Sequence, residues 1–194
     1  MRRKKFYTRN TKNGWEDKKM QEKTLESKII FQGKILNLRE DQVLLVNGNT
    51  SSRLIVEHPG AVAVVPVNQN GEIVMIEQFR KPVEQVLLEI PAGKLEKGED
   101  PAQCAIRELK EETGYVAGNW EKLSVFYTTP GFSDEVMHLY LATGLTFLEA
   151  CPDEDELLQT RVVPLSVALE MINQGEIKDA KTIVGILMAQ NRLA

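Results

Sequence analysis

GKLEKGEDPAQCAIRELKEETGY, residues 93–115, carries one well-marked helix and most of the chemistry legible in the chain. Asp100 offers an N-cap, Pro101 suits the first helical position, and Gln103 completes a capping box. Gly114 supplies a stop where a left-handed residue is wanted. The predicted helix therefore runs from Pro101 to Thr113. At about 100° per residue, Ala102, Ala105, Ile106 and Leu109 form one stripe that must face a core. Glu108 and Glu112 lie one turn apart along the edge of that stripe, and Glu111 lies farther round, nearer solvent. Stacked carboxylates repel unless a cation sits between them. Mg²⁺ takes carboxylate oxygens, retained waters and phosphate oxygens, which such an edge offers. On composition alone a solvated acidic face explains the same residues, because charge runs usually serve solubility.

The spacing of the whole stretch tips that balance. Gly93 is followed after five residues by Glu99, and after seven more by Arg107-Glu108-Leu109, then Glu111-Glu112 and Gly114-Tyr115. This resembles the Nudix hydrolase signature G-x5-E-x7-R-E-U-x-E-E-x-G-U, where U is bulky and apolar. Tyr115 departs from the usual aliphatic residue at the last position. The resemblance implies a Mg²⁺-dependent pyrophosphatase, with Mn²⁺ able to substitute. It implies an α+β fold, an α/β/α sandwich with a mixed β-sheet between helices and an N-terminal antiparallel β region. It also implies that Arg107 braces the carboxylates, that Glu99 joins the same cluster, and that the Ala92 carbonyl, Glu108 and Glu112 hold metal, with Glu111 and Glu156 as further ligands.

Outward from the motif, the chain alternates short apolar runs with turn residues. Runs at Ile29–Phe31, Ile35–Leu38, Val43–Val46 and Leu54–Val56 predict strands, punctuated by Asn47-Gly48 and Pro59-Gly60. Ala61–Val67 and Ile73–Ile76 flank Asn68-Gln69-Asn70-Gly71, a hairpin signal. Further strands are expected around Leu87–Ile90, and over Leu123–Tyr127, Val136–Ala142 and Leu157–Val163. Helices are expected over Pro164–Gln174 and Asp179–Leu193, the last with Ile183, Val184, Ile186, Leu187 and Met188 as its apolar face. A length of 194 residues with 42% hydrophobic and 27% charged residues suits one core domain. The division expected is a basic tail over 1–23, an N-terminal β region over 24–58 that forms a dimer, and a hydrolase domain over 59–194.

A net charge of −4 argues against general nucleic-acid binding. Two cysteines, Cys104 and Cys151, are too few for a disulfide framework and favour a reducing cytoplasm. No apolar run approaches the ~20 residues of a membrane span, and the basic start leads into no signal-peptide core. His58 and His138 lack ligand spacing and read as structural.

Pro130, sixteen residues past Gly114, resembles the mark of ADP-ribose pyrophosphatases, as do His58–Val62, Glu77–Arg80, Glu89–Gly93 and Pro130–Glu135. That resemblance implies a nucleoside diphosphate sugar as substrate, with Arg80 on its phosphate or ribose side. A guanidinium fork suits phosphate oxygens; Arg53 is a second candidate. Glu135 is expected to reach a partner subunit's substrate, Phe31 to contact adenine, and the assembly to be a homodimer. The acidic run Asp153–Glu156 is a solvated connector on its residues alone. By resemblance it brings the general base, placed at Glu154, although the register leaves either Glu154 or Glu156 able to serve. The alternatives are another nucleotide sugar or dinucleotide as substrate, or a regulator that keeps the fold without turnover.

Overall fold

A computed structural model describes residues 21–148 and 157–193. Ala61-Val62-Ala63-Val64-Val65-Pro66-Val67 forms strand β4 (Ala61–Val67), buried along its whole length. Such a run has no polar face because both of its faces are covered. Ala61, Ala63, Val65 and Val67 enter one core cluster, with Ala168, Ile186 and Ala189. Val62 and Val64 enter another, with Cys104, Ala105 and Leu109. The layers follow: helix α1 (Pro101–Thr113) on one side of the sheet, α2 (Leu165–Gln174) and α3 (Ala180–Leu193) on the other.

Around β4 the sheet runs β10-β5-β4-β9-β8, with β5 (Glu72–Arg80), β8 (Tyr115–Tyr127), β9 (Val136–Phe147) and β10 (Leu158–Pro164). The β4–β9 pair is parallel and its neighbours are antiparallel, so the sheet is mixed. Short strands β6 (Gln85–Glu89) and β7 (Ala92–Lys94) add to β5 and β4. A separate antiparallel sheet holds β1 (Lys23–Gln32), β2 (Asn37–Leu44) and β3 (Thr50–Glu57). The end of β3 joins the main body through the loop before β9: Val56 N–H donates to Phe132 O at 2.7 Å and His58 N–H to Asp134 Oδ1 at 2.8 Å. Among the described residues no helix is long and apolar enough to cross a membrane.

Helix α1 has the expected bounds. Asp100 Oδ1 accepts from the amides of Ala102 and Gln103, and Gly114 closes the helix at φ 74°. Its buried stripe is rotated from the expected one. Cys104, Ala105, Leu109, Glu112 and Thr113 are buried, whereas Ile106 is 40% exposed. Small Cys104 and Ala105 let the helix close on Val62 and Val64, and that contact outweighs the greater apolar bulk of Ile106. Helix α3 shows the same preference. Thr182, Gly185, Ile186 and Ala189 face inward, and Leu187, expected on the apolar face, is 42% exposed. A Cβ at Gly185 would stand 2.8 Å from Ile90 Cδ1 and 2.9 Å from Val65 Cγ2, so close approach to the sheet requires glycine there.

Three strand expectations are corrected. Ile35-Leu36 and Leu45-Val46 fall in turns rather than strands; Gly33 N–H bonds Leu36 O, and Leu45 N–H bonds Asn49 O. Between those turns the polar run Asn37–Leu44 is the strand, held by pairing on both sides. Strand β8 begins at Tyr115, directly after the helix, rather than at Leu123. Cross-strand pairing decides it, including Tyr115 opposite Phe147 with ring centroids 5.3 Å apart.

Candidate active site

Strand β7, which begins at Ala92 directly after Pro91, lies against the motif helix. Ala92 N–H donates to Glu112 Oε2 at 2.9 Å, which explains why a carboxylate sits on the buried face of α1 at 3% exposure. A Cβ at Gly93 would stand 1.9 Å from Glu108 Cδ and 2.0 Å from Glu108 Oε1. Glycine at this position of β7 is therefore what lets the Glu108 carboxylate stand where it does.

Arg107 organises the other acids. Its Nε lies 3.0 Å from Glu99 Oε1, and its Nη1 lies 2.8 Å from Glu108 Oε1 and 2.9 Å from Glu111 Oε2. Those bonds keep the Arg107 guanidinium firmly protonated and hold the Glu99 carboxyl at about 2, well below its ordinary value. Glu99 Oε2 also accepts from Glu96 N–H, which fixes the loop entering the helix. Cys104 Sγ lies against Lys94 O, and burial pushes its thiol up to about 12. It is an inert packing group beside the cluster.

Arg80, Ala92, Gly93, Glu96, Arg107, Glu108 and Glu111 line a cavity of about 260 Å³. Glu99, Glu108 and Glu111 gather on the Arg107 guanidinium and Glu112 lies beneath Ala92, while Arg80 and Lys94 also line the cavity. Among the described residues no three acidic, His or Cys side chains already converge on one point. Clustered carboxylate oxygens beside the close approach of Gly93 to Glu108 still fit a divalent cation of the Mg²⁺ type. Such an ion keeps waters and takes a few carboxylates plus substrate phosphates rather than a finished protein cage.

The cavity shares Arg80, Ala92, Gly93 and Lys94 with a neighbouring cleft of about 340 Å³. His58, Arg80, Thr128, Glu135, Asp179 and Lys181 line it. Glu135 Oε2 accepts from Thr128 Oγ1 at 2.5 Å, and His58 Nδ1 stands 3.6 Å from Glu135 Oε1 while accepting from Gly60 N–H. Arg80 donates Nε to Glu89 Oε1 at 2.8 Å and Nη2 to Glu89 Oε2 at 2.7 Å. The Glu89 hydrogen bonds raise the Arg80 pKa further, so the guanidinium stays charged.

A NUDIX domain model matches residues 57–183, and a nucleoside diphosphate sugar hydrolase N-terminal domain model matches residues 22–58. The chain belongs to the Nudix family. This Nudix hydrolase is 49% identical over 175 residues to the ADP-ribose pyrophosphatase of Bacillus subtilis (strain 168), covering 89% of this chain and 95% of that one. It is equally similar, with the same coverage, to the methanol dehydrogenase activator of Bacillus methanolicus. A solved structure described as an ADP compounds hydrolase superposes with TM-score 0.79 at 20% identity, covering 89% of this chain and 94% of that one. Members of the family generally use a divalent metal ion.

Ala92, Arg107, Glu108 and Glu111 meet in the acidic cavity, with Arg80 and Glu135 in the adjoining cleft. Glu112 packs beneath Ala92. Arg53 does not join them. It borders a separate hollow with Phe132 and Asp134 and is tied to Glu22, Nη2 to Oε1 at 2.5 Å. Phe31 lies on β1, 57% exposed, and lines neither cavity. Glu154 and Glu156 lie outside the described residues. Sequence reasoning missed His58 as a cleft residue, because a lone histidine without ligand spacing carries no signal. It also missed Glu89, whose place in the apolar run LLEI gave the only hint that it is buried.

Proposed function

We propose that this Nudix hydrolase cleaves the pyrophosphate bond of ADP-ribose, using Mg²⁺, to give AMP and ribose 5-phosphate. The observation that carries the proposal is that the cavity bearing Glu108 and Glu111 and the neighbouring cleft share Arg80 and Ala92-Gly93 as a common wall. A pyrophosphate lying across that junction meets cation-holding carboxylates on one side and a guanidinium on the other. The relative in Bacillus subtilis named for the ADP-ribose activity supports the choice of substrate.

When bound, Mg²⁺ neutralises phosphate charge and lowers the pKa of a coordinated water. Ala92 O, Glu108 and Glu112 are the proposed protein ligands, with Glu111 and Glu156 behind them. Arg107 keeps the acidic wall in order. Arg80 takes a phosphate oxygen, and Glu135, expected from the sequence to reach a partner's substrate but held by Thr128 in this chain's own cleft, is proposed to fix the ribose side here. Glu154 removes the proton from the attacking water. The water oxygen bonds to one phosphorus, the bridging P–O bond breaks, and the bridging oxygen leaves with the other phosphate.

The active unit proposed is a homodimer. Strand β1 is exposed at every residue, with Leu25, Ile29, Ile30 and Phe31 each between 47% and 57% exposed. Apolar strand surface of that extent supports a protein interface. Arg53 and Phe31 would then serve a partner's site rather than their own. The proposed domain division is a tail over 1–23, a dimer-forming β region over 24–58 and the hydrolase domain over 59–194; the proposed compartment is the cytoplasm.

The test is a panel of ADP-ribose, GDP-mannose, NAD and FAD, with products identified chromatographically. ADP-ribose should be preferred by about ten-fold or more in kcat/KM. Turnover should vanish with EDTA and return with Mg²⁺. A preference for a dinucleotide would overturn the substrate, and no turnover of any compound would overturn the catalytic reading.

A further inference from the structure

Glu89 ends β6 with its side chain 1% exposed. A carboxylate so deeply placed is costly unless it is paired and hydrogen-bonded. Burial alone would push its carboxyl up, yet the Arg80 hydrogen bonds and the Lys181 charge carry it below its ordinary value. One cation would suffice for that pairing. Arg80 already engages both carboxylate oxygens in a two-pronged bridge, which is the strong geometry for this pair. Nevertheless Lys181 Nζ also bonds Glu89 Oε2.

The first turn of α3 explains how Lys181 is held there. Asp179 Oδ2 lies 3.0 Å from Lys181 Nζ, so Arg80, Glu89, Lys181 and Asp179 form a row of alternating charge. Asp179 Oδ2 is itself fixed by Thr182, accepting from N–H at 3.0 Å and from Oγ1 at 2.6 Å. Thr182 Oγ1 in turn accepts from Ile90 N–H at 2.9 Å. One helical turn therefore grips Glu89 and its neighbour Ile90, immediately before Pro91 and strand β7. At the other end of the row, Arg80 borders both cavities, and its Nη1 has no protein partner among the described residues.

We propose that Lys181 is a positioning residue: by sharing Glu89 with Arg80, and being held by Asp179, it fixes the guanidinium that receives the substrate's phosphate. The inference rests on the reading of Arg80 as a substrate-binding residue. Lys181 acts through Glu89 and Arg80, not by touching the pyrophosphate. The arrangement leaves the Nη1 donor presented in one orientation instead of swinging across the cleft mouth. Two cations on one anion hold that anion more rigidly than one.

The test is a double-mutant cycle on the full chain with ADP-ribose and Mg²⁺. Lys181→Met should raise KM by about ten-fold, the scale expected when a group orienting a reactant is loosened, with a smaller change in kcat. Lys181→Arg should return KM to near wild type, since a guanidinium can still reach Glu89. In an Arg80→Ala background, Lys181→Met should have no further effect on KM. Lys181→Met can also destabilise the fold, so the pair Glu89→Gln with Lys181→Met is measured beside it. Removing the buried charge should restore the melting temperature while KM stays high, because Arg80 has lost its anchor. Equal KM losses from Lys181→Met in both backgrounds, or recovery of KM together with melting temperature, would overturn the inference. A wild-type KM for Arg80→Ala alone would instead remove the Arg80 reading, and this inference with it.

Discussion

Gly93→Ala should separate the metal site from the fold. The new methyl would fall 1.9 Å from Glu108 Cδ, whereas ordinary contact begins near 3.4 Å, so the carboxylate must retreat by about 1.5 Å. What the methyl meets is the far end of a flexible side chain, not backbone. Relief by rotating Glu108 should therefore cost stability only about 1 kcal/mol, the ordinary scale for a point substitution. Activity is far more sensitive, since a misplacement of about 1 Å in a catalytic array can cost about 100-fold. We expect kcat/KM for ADP-ribose to fall by at least about 100-fold and half-saturation by Mg²⁺ to move to higher concentration, while the melting temperature drops by a few degrees only. Phosphate release coupled to a phosphatase, followed across a Mg²⁺ series beside thermal melts, measures all three. Wild-type turnover and Mg²⁺ dependence in a folded Gly93→Ala protein would refute the assignment of Glu108 to the metal. Loss of the folded state would refute the claim that the clash is relieved by a side chain.

Three further expectations can be checked. Glu154→Gln should lower kcat by roughly 10²–10⁴ with little change in KM, and Glu156→Gln should shift the Mg²⁺ requirement; swapped phenotypes would exchange the two roles, and two normal variants would place the base elsewhere. If β1 closes a partner's site, the protein should sediment as a dimer and lose specific activity on dilution below its dissociation constant; a fully active monomer would contradict this. The Glu99 carboxyl is depressed from 4.5 to about 2 by Arg107, so its contribution to stability is present above about pH 4.5 and is lost as pH falls toward 2. The melting-temperature gap between wild type and Glu99→Gln should accordingly narrow over that window, and a gap that widens on acidification would show that the pair does not stabilise the fold.

Helix α1 was legible to the residue because its ends are set locally, by the Asp100 cap and Gly114. The rotation of its buried stripe was not, because that depends on which side chains are small enough to let the helix meet Val62 and Val64. Strand β2 escaped notice for a related reason: Asn37–Gln42 carries little apolar signal and is a strand through its partners on both sides. In the site, Arg107 and the acids were readable from fixed spacing within one helix. Arg80, Glu89 and Lys181 come from β5, β6 and α3 and meet only after the sheet is assembled, so no local pattern announces the row they form.

Strand β4 has a consequence for how such a chain can change in length. Its odd-numbered residues belong to the α3 side and its even-numbered ones to the α1 side. Adding or deleting one residue inside it would send each later side chain to the wrong core, and would shift Ala61–Ala63 against their β7 partners Ala92–Lys94. The turn at Gly48, in the separate N-terminal sheet, and the loop at Pro130 are exposed and carry no such alternation. Changes of length are thus confined to such exposed turns, while β4 admits exchanges of similar volume and no change of count.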